Sequence, residues 1–299
     1  MWYCFCLLIF LLLQLSTISF VIRPLKGNRR STNSLALSGG KVKIPEHIAY
    51  ICDGNGRWGM ENNLTRADGH RVGANRTVEI VKSSFELGSR VVTLYLFSTE
   101  NWSRPIDEIM YIFNLLESHL MSFSQYLYDN KVRIKVIGQV EKLPLTLQNL
   151  IKTFNKEAIN DNDSEKTLIL AISYGLFIHL TYLLTYLLTY LLTISNVGGK
   201  NDIVESTKRI ASLILENKIS IADINESLVH KYLSTSTIPD PDIIVRSAGE
   251  MRLSNFYLYQ SAYSTLYPVD CYWPEFNSEM LKKIYEKYRL DNNKKLGGL

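Results

Sequence analysis

The chain is organised around one stretch, Asp53-Gly54-Asn55-Gly56-Arg57-Trp58, which directly follows the apolar run Ile48-Ala49-Tyr50-Ile51-Cys52. The apolar run is short and rich in β-forming residues, which predicts a buried strand. Glycines in the turn after a strand let backbone N–H groups approach a ligand, and the start of a following helix favours negative charge. Arg57 adds a cation whose shape suits phosphate oxygens. We therefore predict a phosphate site in which Asp53 holds a divalent metal. The alternative is a surface turn in which Asp53 caps a helix.

The composition of the 299-residue chain is typical of a globular protein with a sizeable core, with 46% hydrophobic and 21% charged residues. The net charge of +4 is mild and the basic residues are dispersed, so no nucleic-acid partner is indicated. The four cysteines show neither metal-ligand spacing nor the pattern of a disulfide framework. These features do not indicate a zinc enzyme.

Residues 1–43 predict a targeting or anchoring segment that precedes the folded domain. The run from Met1 to Phe20 is strongly apolar, as in a secretory signal or an uncleaved anchor, although no basic residues precede it. Residues 21–43 are basic and contain Ser and Asn but no acidic residue, which is typical of a transit peptide. Together they indicate a plastid-type organelle reached through the secretory route. The alternative is a membrane anchor with a basic linker, as in a protein of the endoplasmic reticulum membrane.

Residues 44–299 predict one α/β domain, because strand-like and helical segments alternate. Such alternation favours a mostly parallel central sheet flanked by helices, with ligands bound beyond the carboxyl ends of the strands. Asp53, Ser98 and Arg246 follow strand ends and can therefore converge on one face. The predicted strands are Ile48–Cys52, Val91–Phe97, Val132–Gly138, Leu168–Tyr174 and Ile243–Arg246, and the predicted helices are Gly69–Leu87, Ile106–Asp129, Leu145–Ile159 and Asp202 to about Tyr232.

An apolar, low-complexity insertion interrupts this pattern at 176–197, where Thr-Tyr-Leu-Leu is repeated. Its hydropathy would allow a membrane span. A span there would separate a strand from a helix of the same compact domain, so we do not interpret it as one. Three readings stay open: a surface segment that leans on a membrane, an expansion without function, or a non-coding segment translated into the chain.

Further motifs accompany the first stretch, and their order is specific. The chain resembles the cis-prenyltransferases, the undecaprenyl and dehydrodolichyl diphosphate synthases, over roughly Ile44 to Gly298. No Asp-Asp-x-x-Asp motif occurs, so the trans-type prenyl synthases do not fit. The blocks that carry the resemblance are His47–Trp58, Arg66–His70, Leu94–Pro105, Ser173–Gly175, Asp242–Phe256 and Tyr272–Phe276.

The resemblance implies a transferase that condenses isopentenyl diphosphate with an allylic diphosphate, such as farnesyl diphosphate, and makes a new cis double bond. It implies a fold that encloses a hydrophobic tunnel, and a long-chain polyprenyl diphosphate as product, the precursor of dolichol-type lipid carriers. It also implies Mg²⁺ as cofactor, a homodimer or a heterodimer with a related subunit, and a membrane-associated product. The chain length and the native allylic starter are not readable from the sequence.

The resemblance also assigns site residues. It implies that Asp53 binds Mg²⁺ and acts in catalysis together with Ser98 and Asn101, which lie near the proton that must be lost. The second anion site, for isopentenyl diphosphate, would consist of Arg246, Arg252 and Ser254, at the start of an apolar helical run near Phe256. The allylic diphosphate and its prenyl tail would be held by Gly54, Asn55, Gly56, Arg57, Trp58, Arg66, His70, Phe97, Trp102 and Arg104.

The chain departs from the family pattern at three positions. Thr265 stands where bacterial members carry a Glu that helps to hold magnesium, and Met251 stands where they often have His. Lys295 replaces the Arg of the C-terminal tail, and Lys cannot make the bidentate contact of Arg. Three alternatives to an active enzyme stay open: a non-catalytic subunit of a dehydrodolichyl diphosphate synthase complex, a membrane-associated carrier of prenyl lipids, or a product inactivated by the insertion.

Overall fold

The computed structural model describes residues 43–138, 140, 143–159, 165–174 and 199–296. These residues belong to one compact unit, 42–299. They form a six-stranded sheet in the order β3-β4-β2-β1-β5-β6, in which every neighbouring pair is parallel. The strands are β1 (His47–Ile51), β2 (Val91–Ser98), β3 (Val132–Gly138), β4 (Lys166–Tyr174), β5 (Ile243–Arg246) and β6 (Thr265–Pro268).

Seven α-helices accompany the sheet in the described part of the chain. Three short 3₁₀ turns also occur in the described residues, at Thr99–Ser103, Ile221–Asp223 and Trp273–Glu275. The helices are α1 (Asn55–Glu61), α2 (Arg66–Glu86), α3 (Ile106–Asp129), α4 (Leu145–Ile159), α5 (Gly199–Leu215), α6 (Glu226–Lys231) and α7 (Ser278–Leu296).

The strand order places a topological switch point at β1. The chain leaves β1 towards β2 on one side, whereas β5 pairs with β1 on the other side, with Ile51 opposite both Tyr95 and Arg246. In parallel sheets the crevice outside the carboxyl ends at such a point is where ligands bind. The segment that follows β1, Asp53–Trp58, therefore lies at the edge where a ligand is expected.

Successive residues of β1 point to opposite faces of the sheet, and both faces are covered. Ile48 and Tyr50 pack into the larger core cluster, to which α2, α3, α4 and α7 contribute. Ala49 and Ile51 pack into a second cluster on the other face, which includes Phe256 and Tyr257 of the chain between β5 and β6. Because β1 is buried on both faces, its sequence is a continuous apolar run.

The predicted α/β domain with a parallel sheet is confirmed, as are its five predicted strands and the helices 106–129 and 145–159. Three expectations were wrong or incomplete. The helix predicted from Asp202 to Tyr232 is two helices, α5 and α6, separated by turns. No helix begins near Phe256, since residues 251–264 form turns. The short strand β6 was not predicted.

Several predictions lie outside the described residues. They concern the targeting segment 1–43 apart from its last residue, the insertion 176–197, and the tail glycines 297 and 298. Among the described residues, no helix combines the length and the apolar character needed to cross a bilayer.

Candidate active site

The backbone of Asp53 is fixed at the end of β1 by two neighbouring segments. Its N–H donates to Ser247 Oγ at 2.8 Å, and its carbonyl oxygen accepts from Ser247 Oγ at 2.7 Å and from the N–H of Trp273 at 3.0 Å. Ser247 directly follows β5, the strand that pairs with β1. The position of the carboxylate is therefore set by the sheet and by the 3₁₀ turn that begins at Trp273.

The Asp53 carboxylate joins two arginines that are distant in sequence. Oδ1 accepts from Arg57 Nη2 at 3.1 Å, and Oδ2 accepts from Arg246 Nη2 at 3.0 Å. Burial alone would raise the pKa of Asp53, but the hydrogen bond from Arg246 and the charge of Arg57 outweigh it and hold the pKa below its ordinary value. Asp53 is therefore ionised at neutral pH and available to bind a cation.

The turn after Asp53 requires glycine at position 54. Gly54 has φ of +93°, and a Cβ there would lie 2.3 Å from Cδ1 of Tyr272. The Tyr272 ring packs over this turn, and its hydroxyl donates to Glu61 Oε1 at 2.5 Å. The Arg57 guanidinium lies over the same ring, 5.4 Å from its centroid. Tyr272 thus supports both the turn and the first arginine.

Arg246 forms the centre of the second cluster. Its side chain is only 6% exposed. Besides Asp53, Nη1 donates to Ser254 Oγ at 2.7 Å and to the carbonyl oxygen of Arg252. Arg246 therefore ties the end of β5 to the loop after it.

The structure brings Ser254 to Arg246 but directs the Arg252 side chain elsewhere. Arg252 is 75% exposed and pairs with Glu250 at 2.8 Å. The loop contains an unusual run of left-handed backbone, with φ of +70° at Ala248, +47° at Ser254 and +61° at Asn255. Residues held in this region cluster at functional sites. The expected helix start at this anion site was wrong, because the loop is built from turns.

A second carboxylate, Glu108, gathers the remaining predicted cations. Arg66 donates to both carboxylate oxygens of Glu108, each at 3.1 Å. Arg104 Nη1 and His70 Nε2 donate to Oε1 at 2.9 and 3.2 Å. Burial would raise the pKa of Glu108, yet the hydrogen bond from Arg66 and the charge of Arg104 hold that pKa below its ordinary value. Burial also lowers the pKa of His70, although its bond to Glu108 opposes this shift.

This Glu108 cluster adjoins the Asp53 turn. A Cβ placed on Gly56 would lie 2.8 Å from the Arg66 guanidinium carbon, so the guanidinium rests against Gly56. The negative charge of Asp53 also acts on Arg104. The structure therefore brings Arg57, Arg66, Arg104 and His70 together at one end of the crevice.

An apolar cavity of about 110 Å³ extends from this cation group between α2, α3 and the sheet. His70 and Asn55 line one end, and Leu168 and Phe123 line it farther along. Phe97 lines the wall and packs against Trp102 at 5.3 Å between ring centroids. The predicted wall role of Phe97 is supported, whereas Trp102 packs behind it.

The predicted catalytic pair, Ser98 and Asn101, forms a reciprocal cap on the first 3₁₀ turn. Asn101 Oδ1 accepts from the Ser98 N–H at 3.0 Å, and the Ser98 side chain accepts from the N–H of Asn101. Tyr95 links Ser98 to the second cluster, because its hydroxyl hydrogen-bonds Ser98 and also donates to the Ser254 carbonyl oxygen at 3.3 Å. This side of the crevice therefore carries fixed uncharged polar groups.

Trp58, Met251 and Thr265 lie in three different surroundings. Trp58 is half-buried in the first turn of α1. Met251 is 72% exposed in the loop after β5. Thr265 begins β6 and pairs with Ile243, so it lies at the amino end of the strands, about 10 Å along the strand from the level of Arg246. The expectation that the departure at position 265 affects the metal site stays a prediction.

Known proteins resemble this chain in sequence and in fold. Residues 51–297 match the prenyltransferase family model, whose description is "Putative undecaprenyl diphosphate synthase". The chain belongs to this family. An isoprenyl transferase of Prochlorococcus marinus is 37% identical over 276 residues, covering 92% of this chain and 90% of that protein. An isoprenyl transferase of Clostridium perfringens is also 37% identical, covering 92% and 97%. Lavandulyl diphosphate synthase from Lavandula x intermedia, solved in complex with dimethylallyl diphosphate, has a TM-score of 0.71 at 27% identity, covering 82% and 95%.

Family membership confirms the resemblance and the fold predicted from the sequence, and the chain is a prenyl-transferring enzyme. Sequence reasoning missed four side chains of the cis-prenyltransferase site: Glu108, Ser247, Glu250 and Tyr272. A signal existed for Glu108, an acidic residue in the first turn of a predicted helix and only four residues after Arg104. Tyr272 and Ser247 meet Asp53 and its turn only through the tertiary fold.

The donor set fits a Mg²⁺ ion that arrives with a diphosphate. Within the described ranges, no three His, Cys, Asp or Glu side chains converge to form a metal site by themselves. Asp53 offers one ionised carboxylate beside cationic groups, and Mg²⁺ is usually bound by one or two carboxylates together with substrate phosphates. Asp53 would hold the ion, with the remaining ligands supplied by diphosphate and water.

Proposed function

We propose that the chain condenses isopentenyl diphosphate with an allylic diphosphate and forms a new cis double bond. One observation carries the proposal: the Asp53 carboxylate lies between Arg57 of one cation group and Arg246 of another, at 3.1 and 3.0 Å. A reaction between two diphosphates needs two anion sites that share a boundary. The apolar cavity beside the first group supplies a place for a hydrocarbon chain.

The first cation group binds the allylic diphosphate. Arg66 and Arg104 are paired with Glu108 in this structure and present guanidinium groups beside the Gly54–Arg57 turn. Guanidinium groups bind phosphate oxygens in bidentate geometry. The prenyl tail then enters the cavity past His70 and Phe97, where apolar burial stabilises it.

The second group binds isopentenyl diphosphate. Arg246 is buried and fixed by three partners, so it offers a positioned charge at the boundary with the first site. Arg252 is exposed and lightly held by Glu250, so it can turn towards an arriving diphosphate. Ser254 adds a hydroxyl on the same side.

In the reaction, the allylic carbon–oxygen bond breaks and diphosphate leaves with the bonding electron pair. The allylic carbon joins the terminal methylene carbon (C4) of isopentenyl diphosphate, which leaves the positive charge on C3. C2 then loses a proton to a diphosphate oxygen, and the C2–C3 bond becomes the new cis double bond. Arg57, Arg66 and Arg104 stabilise the charge that develops on the departing diphosphate. Ser98 and Asn101, which hold each other at the crevice, orient the carbon that loses the proton. Mg²⁺, when bound at Asp53, supplies further charge stabilisation to the leaving oxygens.

The proposal extends to product, assembly and location. Repeated condensation on a starter such as farnesyl diphosphate gives a polyprenyl diphosphate of the dolichol-precursor type. The chain works as a homodimer or with a related subunit, and its product enters a membrane. The composition of residues 1–43 supports delivery to a plastid-type organelle or the endoplasmic reticulum membrane.

The proposal is tested by incubating the full chain and its Asp53→Asn variant with labelled isopentenyl diphosphate, farnesyl diphosphate and Mg²⁺. The wild type incorporates label into an extractable polyprenyl diphosphate. Removing one group that stabilises the transition state costs about 10²–10³-fold in turnover, so we expect at least that loss in the variant. Circular dichroism serves as the control for folding, because Asn leaves the buried Arg246 without a counter-charge. Binding of both lipids without turnover would favour a prenyl-lipid carrier, and an Asp53→Asn enzyme with normal Mg²⁺-dependent turnover would disprove the role of Asp53.

A further inference from the structure

The cavity is walled on one side by the seam between α2 and α3, and polar contacts cross this seam at three places in the described structure. At the site end, Arg66 and His70 of α2 both donate to Glu108 of α3, His70 at 3.2 Å. In the middle, Asn75 meets His119 at 3.1 Å. Farther along, the Lys82 ammonium lies over the Tyr126 ring at 4.7 Å. The seam is therefore closed by side chains at intervals along the cavity.

The middle contact joins His119 Nε2 to the side-chain amide of Asn75, and the other ring nitrogen decides which atom donates. His119 Nδ1 lies 2.9 Å from the Leu115 carbonyl oxygen, which can only accept, so Nδ1 carries a proton. In this tautomer Nε2 accepts, and the Asn75 amide is assigned so that its NH₂ group faces the ring and donates. Both residues are thereby held at fixed positions on facing helices.

The contact lies at the outer wall of the cavity. His119 lines the cavity and is half-buried, whereas Asn75 is exposed on the solvent side of α2. The neighbouring residues Ala74 and Thr77 line the cavity. The hydrogen bond therefore stands between the apolar interior and water.

The spacing of the three contacts makes the middle one decisive for closure. At 1.5 Å per helical residue, Asn75 lies about 8 Å from His70 and about 10 Å from Lys82 along α2. Without it, the seam would have no polar tie for about 18 Å. Only the apolar contacts of the two helices would then hold the wall.

We propose that the Asn75–His119 bridge is a specificity determinant that limits product length by keeping the side wall of the cavity closed to the growing prenyl chain. The inference rests on the proposed function. A chain that fills the cavity meets Phe123 and Leu168 farther along and stops there when the wall is shut. When the bridge is absent, the chain passes outward between α2 and α3 and further condensations continue.

The test compares the full chain with Asn75→Ala, His119→Phe and the double variant in the condensation assay, with products separated by chain length. Phe removes the hydrogen bond but keeps an aromatic ring in the cavity lining. Asn114→Ala is the matched control, because Asn114 is exposed on α3 and does not line the cavity. We expect the fraction of products longer than the main wild-type product to rise about fivefold in each bridge variant, the factor that an ordinary hydrogen bond contributes to an equilibrium. The double variant should match the single ones, because all three lack the same bridge.

A second measurement is independent of turnover. The affinities of saturated alkyl diphosphates of increasing length are measured by calorimetry for each protein. Wild type and Asn114→Ala should reach a plateau at one chain length, while the bridge variants continue to gain affinity beyond it. An equal length limit in folded wild type and bridge variants, in products or in binding, overturns the bridge proposal. If none of the proteins catalyses condensation, the proposed function is rejected. The binding measurements then test the bridge proposal without turnover.

Discussion

The two arginines of the second anion site have different tasks, because their surroundings differ. Arg246 is buried and holds Asp53, Ser254 and the Arg252 carbonyl oxygen together. Arg252 is exposed and forms an ion pair with Glu250. Removing Arg246 therefore disturbs the site itself, whereas removing Arg252 changes the charge available to the ligand. The sequence placed both residues in one anion site and could not distinguish them.

Arg252→Ala is expected to raise the Michaelis constant for isopentenyl diphosphate about tenfold or more, because a hydrogen bond to a charged group contributes roughly 1.5–3 kcal/mol. The Michaelis constant for the allylic substrate and the unfolding temperature should change little, since Arg252 is 75% exposed. Steady-state kinetics with each substrate varied in turn provide the measurement. Arg71→Ala is the matched control, because Arg71 is also exposed and pairs with Asp68 outside the crevice. Equal effects on both substrates would show that the two diphosphate sites are assigned wrongly.

Tyr272 is expected to position Arg57 through its ring and not through its hydroxyl. Tyr272→Leu removes the aromatic face below the guanidinium, so the Michaelis constant for the allylic substrate should rise about two- to fivefold. Tyr272→Phe keeps the ring and loses only the hydrogen bond to Glu61, so it should stay close to wild type. Comparing the two variants in the same assay separates the contributions. A larger effect from Phe than from Leu would contradict the role of the ring.

The contacts of a single residue could be predicted from the sequence when its partners were near in sequence, but not when they were distant. The Asp53–Arg57 stretch combines its charges within five positions, and the structure confirms their contact. Glu108 was missed because two of its three partners, Arg66 and His70, lie on another helix. The position of Thr265 at the amino end of the strands could not be predicted, because it depends on the short strand β6, which was not predicted.

At the level of elements, β1 is held by a buried histidine as well as by its ladder. His47 Nδ1 donates to the Pro239 carbonyl oxygen at 2.7 Å, and Nε2 accepts from Thr93 Oγ1 of β2 at 2.8 Å. Burial lowers the pKa of His47 from 6.5 to about 4, although its bond to Pro239 and the charge of Asp242 oppose this shift. The neutral imidazole is thus part of the link between β1, β2 and the chain before β5.

The His47 link predicts an acid-sensitive fold. The folded-state pKa lies below the unfolded one, so the stabilisation is complete above pH 6.5 and is lost progressively as pH falls towards 4. The full loss is about 3 kcal/mol, at roughly 1.36 kcal/mol per pKa unit. Urea unfolding of wild type and His47→Gln at several pH values between 7 and 4 measures it. The variant should be less stable at pH 7 but should lose less stability on acidification, and parallel pH profiles would contradict the assignment.

Element types were predicted well where periodicity was long, and boundaries less well where local chemistry decides them. Helices α3 and α4 match their predicted ranges because their apolar spacing is sustained. α2 begins at Arg66 and not at Gly69, because Thr65 and Asp68 form a capping box there. The apolar residues after Phe256 pack into the core from turns with left-handed residues, which a periodic pattern does not reveal.

At the scale of the whole molecule, two features could be predicted from the sequence: the parallel sheet, and the edge of the sheet where ligands bind. Both follow because alternating strands and helices restrict the possible topologies. The strand order then accounts for the active site, since β1, β2 and β5 are neighbours and end at Asp53, Ser98 and Arg246. The cavity could not be derived from the sequence, because its volume depends on how α2 and α3 pack over the sheet. According to the bridge proposal, the same packing of α2 and α3 limits the length of the product.

The last prediction concerns the insertion 176–197, which lies outside the described residues and separates β4 from α5. Both flanking elements are anchored by contacts of their own: Tyr174 pairs with Ser98 in the sheet, and the N–H groups of Gly199 and Lys200 donate to Asn255 at 2.8 and 2.9 Å. Doubling the length of a loop costs only about 0.6 kcal/mol of closure entropy, so we expect deletion of 176–197 to leave the unfolding temperature nearly unchanged. Many leucines and tyrosines in water favour a contact, so the deletion should reduce binding to liposomes in a flotation assay.

Replacing the segment by a Gly/Ser linker of equal length is the matched control, which should keep the fold and also lose lipid binding. If both proteins fail to fold, the segment belongs to the core and the interpretation of it as an insertion is wrong.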